Sequence, residues 1–251
     1  MGLIMTRGKL KYLGFGILTL FLIGVVNHYA TCKLELLGHY SKIGAHRVNS
    51  IEKLNLAVKH FEIIELDLEY DEVNKVMDVN HPPATSINLS LENYTSLIDS
   101  NQQPFLWLDI KNLTKNNSNE ILNRLSEVFK RSNYPLNEVL IETQNPEALP
   151  VFAKAGFKTS YYLPYGLCKM DDDELSKTVT GIKEVLNNHP NIAISSDVQD
   201  YEILAKFFPR ITKYTWTTGS VFRNHFIQTQ KALRDPNVAI VLVTYKAPSG
   251  K

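Results

Sequence analysis

From Lys33 to the C-terminus, short stretches with strand character alternate with longer stretches at helical spacing. That alternation narrows the fold more than any other feature of the chain. "YSKIGAH" reads as a strand. "SIEKLNLAVKH" follows with Ile51, Leu54, Ala57 and Val58 on one helical face and Ser50 as N-cap. "FEIIELDLEY" is a strand, "KVMDVNH" a second short strand running to His81, and "LSLENYTSLIDS" a helix opened by Ser90. "FLWLDIK", "NEVLIET", "KTSYYLP", "NIAISS", "RITKYTWT" and "NVAIVLVTY" continue the strands. Helical stretches separate them, among them "NSNEILNRLSEVFKRS", "DDDELSKTVTGIKEVLNNH" and "SVFRNHFIQTQKALRD". About eight strands with helices between them predict an α/β fold, a closed (β/α)8 TIM barrel over 33–251. An open doubly wound sheet is the runner-up, but the chain has no Gly-rich dinucleotide or P-loop motif to support it.

Residues 1–32 are different in kind. Arg7, Lys9 and Lys11 precede an uncharged apolar run from Tyr12 to Val26, and no acid occurs before Lys33. The pattern predicts an N-terminal hydrophobic helix serving as a membrane anchor or, if cleaved, a signal segment. Bases ahead of the run place the N-terminus inside and the body outside the cytoplasmic membrane. The body then carries 24 Lys and Arg against 26 Asp and Glu. Such a surface has no broad basic face, which argues against nucleic acid as a partner. Cys32 and Cys168 are too few for a disulfide framework, and neither has a second sulfur nearby for a zinc site. Nothing in the sequence fixes an oligomeric state.

In a barrel, chemistry sits at the C-terminal ends of the strands. The first strand ends in His46 and Arg47, and the second carries Glu65 and Asp67, two apart and so on one face. The next stretch delivers His81, and "FLWLDIK" ends in Asp109 and Lys111, again on one face. Three carboxylates in one cavity repel each other. A hard divalent cation, Mg²⁺ or Ca²⁺, relieves that with oxygen ligands, so Glu65, Asp67 and Asp109 are the expected metal site. Two histidines beside such a cation suit cleavage of a phosphodiester. One takes a proton from the attacking hydroxyl, and the other gives one to the leaving oxygen. Arg47 and Lys111 would hold the phosphate. Trp216 and Tyr245, near the ends of late strands, are expected to line the substrate pocket against an acyl chain or glycerol.

The segments "AHRVNS", "IELDLEY", "VMDVNHPP" and "LWLDIK" resemble the glycerophosphodiester phosphodiesterase superfamily, the phospholipase-C-like TIM barrels. The resemblance implies His46 and His81 as the acid/base pair, Glu65, Asp67 and Asp109 as metal ligands, and Arg47 and Lys111 as phosphate contacts. "H-x-VNS" and "HPP" are more specifically similar to its menorin group. The motifs cover about Ile43 to Lys111. Val48 stands where the diesterase pattern has glycine, and Pro82 where it has aspartate. The function expected is metal-dependent hydrolysis of a glycerophosphodiester or phospholipid-type substrate. The alternatives are a membrane-tethered, non-catalytic menorin-like binding module on the same barrel, and an unrelated barrel hydrolase such as a glycosidase.

Overall fold

The structure is a computed structural model that describes residues 7–29, 36–217 and 225–245. The chain divides into two compact units, Met1–Gly38 and His39–Lys251. In the first, helix α1 runs from Arg7 to Tyr29 and its apolar residues form no separate face. Among the described residues no helix is long and apolar enough to cross a membrane. The end of the expected 1–32 segment, with Cys32, lies outside the described residues, as does the start of "SVFRNHFIQTQKALRD".

The second unit is a parallel eight-stranded barrel with helices around it. Its strands are β1 (Ile43–Ala45), β2 (Ile63–Asp71), β4 (Phe105–Ile110), β5 (Val139–Thr143), β6 (Lys158–Tyr162), β7 (Ala193–Asp197), β8 (Lys213–Trp216) and β9 (Val238–Val243). Neighbours pair in chain order. β1 closes the ring by pairing with β9 on one side and with β2, Ala45 opposite Ile64, on the other. The helices are α2 (Ile51–Ala57), α3 (Leu91–Ser96), α4 (Ser118–Arg131), α5 (Pro150–Ala155), α6 (Asp172–Asn188), α7 (Tyr201–Phe207) and α8 (Phe226–Arg234).

Local chemistry accounts for the helix ends. Ser50 Oγ accepts from the Lys53 amide at 3.3 Å and Ser90 Oγ from the Asn93 amide at 3.2 Å, each satisfying a donor that the helix leaves open. Gly156 ends α5 at φ +103°, a conformation that costs glycine little.

One expectation is corrected. "KVMDVNH" is not a barrel strand. Its ordered part, β3 (Val76–Asp78), runs antiparallel to the far end of β2, with Glu69 opposite Asp78 and Asp71 opposite Val76. The cause is the length of β2: its pairing with β4 ends at Leu68, and the remaining residues continue past the barrel as one arm of a hairpin. His81 therefore enters the site from a loop beyond that hairpin, not from the end of a barrel strand.

The lumen is packed rather than open. Ile63, Trp107, Leu140, Tyr214, Ile240 and Leu242 fill it from five strands. At Gly44 a Cβ would lie 2.6 Å from Ile63 Cγ2 and 2.8 Å from Leu242 Cδ2. Glycine there lets β1 stand close to this core. Two residues on, the same face presents His46.

Candidate active site

β2 carries Ile63, Glu65 and Asp67 on its inner face, and the parallel register sets Asp67 beside Asp109 of β4 and Asp109 beside Glu142 of β5. Spacing along β2 and register across the strands together stack carboxylates at one end of the lumen. Glu65, Asp67 and Asp109 each present an oxygen, and all three oxygens lie within 4.8 Å of one another in buried positions.

The loop after β1 wraps this cluster. Arg47 adopts φ +58°, the left-handed region, at a cost of roughly 1–2 kcal/mol for a residue with a Cβ. That turn aims its amide at Glu65, whose Oε2 accepts at 2.6 Å. The Val48 amide donates to the Glu65 carbonyl at 2.9 Å, and the Val48 carbonyl accepts from the Tyr94 hydroxyl at 3.0 Å. Val48 is fully buried, so its side chain is a packing residue. Asn49 then clamps Asp67 twice: its Nδ2 donates to Asp67 Oδ2 at 2.6 Å, and its Oδ1 accepts from the Asp67 amide at 2.9 Å.

The two histidines approach from different sides. His46 Nε2 lies 3.7 Å from Glu65 Oε2, and His81 Nε2 lies 3.9 Å from Asp67 Oδ1. The His46 side chain is 12% exposed and that of His81 35%. Burial, followed by the positive charge of Arg47, pushes the His46 pKa down to about 3, with Asp67 opposing. His46 is therefore neutral at any ordinary pH. Burial and the neighbouring Asp67 raise the Glu65 carboxyl well above its usual range, against the Arg47 amide bond that lowers it. Asp109 is raised by burial too, with Lys111 opposing.

Lys111 enters this acidic ground. Its Nζ lies 2.6 Å from Asp67 Oδ1 and also donates to Asp109 Oδ2. Burial works against its charge, but Asp109 and Asp67 together hold it above the usual lysine range. Two of its three donors are engaged, which leaves one for a ligand. Arg47 is exposed at the rim of the same loop.

The late aromatics separate. Trp216 stands in the lumen, its ring 6.5 Å from that of His46 and 4.9 Å from Tyr162. Tyr245 has other partners: its ring packs 5.4 Å from Phe61, and its hydroxyl donates to the Lys53 carbonyl at 3.1 Å.

Two residues of the site had no role assigned from sequence. Asn49 was legible only as a loop residue after His-Arg. Glu142, in "NEVLIET", gave the same signal as Asp109, an acid inside an apolar strand. It is 2% exposed, and its Oε1 has no hydrogen-bond partner. Burial and then Asp109 raise its carboxyl well above the usual range, against Ser195 and Trp107.

The donor set tests well against a divalent ion. Glu65, Asp67, Asp109 and Glu142 are four buried acids, and Lys111 pairs with two of them. Ionised together they carry more negative charge than Lys111 balances, which a divalent cation would offset. Every donor is a hard oxygen, which suits these ions.

No protein-family model matches the chain, and no curated protein matches it. Solved structures do match in fold. A glycerophosphodiester phosphodiesterase from Parabacteroides distasonis aligns at 14% identity with a TM-score of 0.55, over 82% of this chain and 93% of its own. A phosphodiesterase from Oleispira antarctica, in complex with the product sn-glycerol-3-phosphate, aligns at 15% identity with a TM-score of 0.56, over 81% of this chain and 93% of its own. Identities at this level establish the shared barrel.

Proposed function

We propose that the protein is a metal-dependent phosphodiester hydrolase acting on glycerophosphodiester or phospholipid-type substrates. One observation carries the reading: two histidines flank a buried cluster of three carboxylates at one end of a barrel whose structural neighbours include phosphodiesterases. Glu65, Asp67 and Asp109 would hold the cation. A bound Mg²⁺ or Ca²⁺ supplies Lewis acidity, drawing charge from the phosphate oxygens.

The chain's own groups then divide the work. His46 is in the neutral form that a base requires, and it accepts the proton of the attacking hydroxyl. The negative phosphate strengthens that base as substrate binds. His81, on the solvent side, delivers a proton to the leaving alcohol oxygen. The free donor of Lys111 and the guanidinium of Arg47 meet the phosphate oxygens. Asn49 keeps Asp67 from turning as charge moves.

The test is turnover of a panel of glycerophosphodiesters and lysophospholipids, with Mg²⁺, Ca²⁺ or chelator. Each of His46→Ala and His81→Ala is expected to lower the rate about 10²–10⁴-fold. On a diester with a very good leaving group, His81→Ala should recover far more than His46→Ala. Cation binding without turnover of any diester would reject the enzyme and favour a menorin-like binding module.

The basic flank Arg7, Lys9 and Lys11 supports an extracytoplasmic placement of the body. Protease added to spheroplasts should digest the barrel while a cytoplasmic control survives. Protection of both would reject this placement.

A further inference from the structure

Exposed apolar side chains on the barrel unit are unevenly placed. Six of its eight large exposed hydrophobics among the described residues belong to the end where the site lies: Ile51, Val73, Ile87, Tyr165, Phe226 and Ile227. Ile51 opens α2, and Phe226 and Ile227 open α8. Val73 tips the β2–β3 hairpin, Ile87 precedes α3, and Tyr165 precedes α6. Each follows the C-terminal end of a strand, which in this fold is the mouth. The other two, Tyr40 and Leu97, sit before β1 and at the end of α3, toward the opposite end.

The exposures are large: 88% for Val73, 65% for Ile227, 60% for Tyr165 and 58% for Ile87. A single exposed apolar residue is ordinary, but several around one opening call for a covering surface. They arise from separate connections, so they line no single groove for a peptide. Charges beside them have both signs, Lys75 and Lys169 with Asp71 and Glu72, so no one-signed field selects an anionic partner. Lys169 lies over the Tyr165 ring at 5.3 Å, an arrangement that lets an aromatic sink while its cation stays wet. What these features fit is a broad apolar phase with a polar boundary.

We propose that this rim docks on a neutral phospholipid surface, with Val73, Ile87, Tyr165 and Ile227 inserted at the acyl boundary, so that the site takes diesters borne in a membrane. The substrate class rests on the phosphodiesterase reading. The docking rests only on the placement of these side chains.

The experiment uses the full chain with Cys32 and Cys168 changed to serine. An environment-sensitive fluorophore is carried on Val73→Cys in one version and on Leu97→Cys in another. With vesicles of phosphatidylcholine bearing brominated chains, the label at 73 should shift to the blue and be quenched, and that at 97 should do neither. Equal responses at the two positions would mean attachment by another segment, and would overturn the proposal, as would silence at 73. Serine at 73, 87, 165 and 227 together should reduce vesicle-borne turnover at least about a hundredfold, from the apolar area lost. Turnover of a soluble diester should be unchanged. If the unmodified chain turns over no diester while the label at 73 still responds, the phosphodiesterase reading fails and the docking stands.

Discussion

The ammonium of Lys111 lies 2.6 Å from Oδ1 of Asp67, so the acidic cluster already holds one positive charge of its own. That pairing makes the cluster tolerable in the fold before any ion arrives, and it bears on how the site responds to change.

Lys111→Met should leave Asp67 and Asp109 buried without their cation. Breaking a buried pair from one side costs about 3–5 kcal/mol, and the variant should lose that order of stability in urea unfolding with chelator present. Mg²⁺ or Ca²⁺ should restore more stability to the variant than to the unmodified protein. Equal gains in both would show that the ion does not share the ground Lys111 occupies.

Glu142 has a raised carboxyl pKa, caused first by burial and then by Asp109. A group raised on folding contributes stability that is full below its unfolded value, near the ordinary 4.5, and is lost as pH rises through the folded one. Measured in chelator, stability should therefore fall as pH climbs from about 4.5. Glu142→Gln keeps the shape without the ionisation, and that part of the slope should vanish. At neutral pH the variant should be the more stable protein, by roughly 1–3 kcal/mol. A parallel pH curve for both would count against the assignment.

Asn49→Ala removes both bonds to Asp67. Groups that orient a metal ligand are worth about 10–100-fold in affinity. Calorimetric titration with Mg²⁺ or Ca²⁺ should show a loss of that size, with the thermal midpoint of the chelated protein lowered only modestly. Unchanged affinity would make Asn49 a loop brace and no more.

Tyr245→Phe deletes the hydroxyl bond to the Lys53 carbonyl and keeps the ring on Phe61. Stability should fall by about 1 kcal/mol, with kcat and KM on a soluble diester unchanged. Trp216→Leu, beside His46, should instead lower kcat. A KM effect from Tyr245→Phe would place that hydroxyl at the substrate after all.

Much of the fold was legible because its signals are local. The helix starts at Ser50 and Ser90 follow from side-chain oxygens meeting amides three residues on, and the stop at Gly156 from a left-handed residue. The barrel itself follows from buried strands spaced by helices. The pairing of Glu65 with Asp67, and of Asp109 with Lys111, follows from the two-residue period of a strand, so the sequence by itself already grouped these side chains.

Tertiary structure alone decided the rest, because pairing across distant strands has no local signal. "KVMDVNH" reads like any barrel strand, and only the excess length of β2 turns it into a hairpin partner that leaves His81 on a loop. Glu142 looks like any acid in a strand until the register sets it beside Asp109 inside the lumen. Tyr245 and Trp216 both sit near strand ends, but Tyr245 packs on Phe61 and bonds the Lys53 carbonyl, while Trp216 stands beside His46. Which residues share a face was written in the spacing. Which face points inward, and what meets it there, depended on closing the barrel.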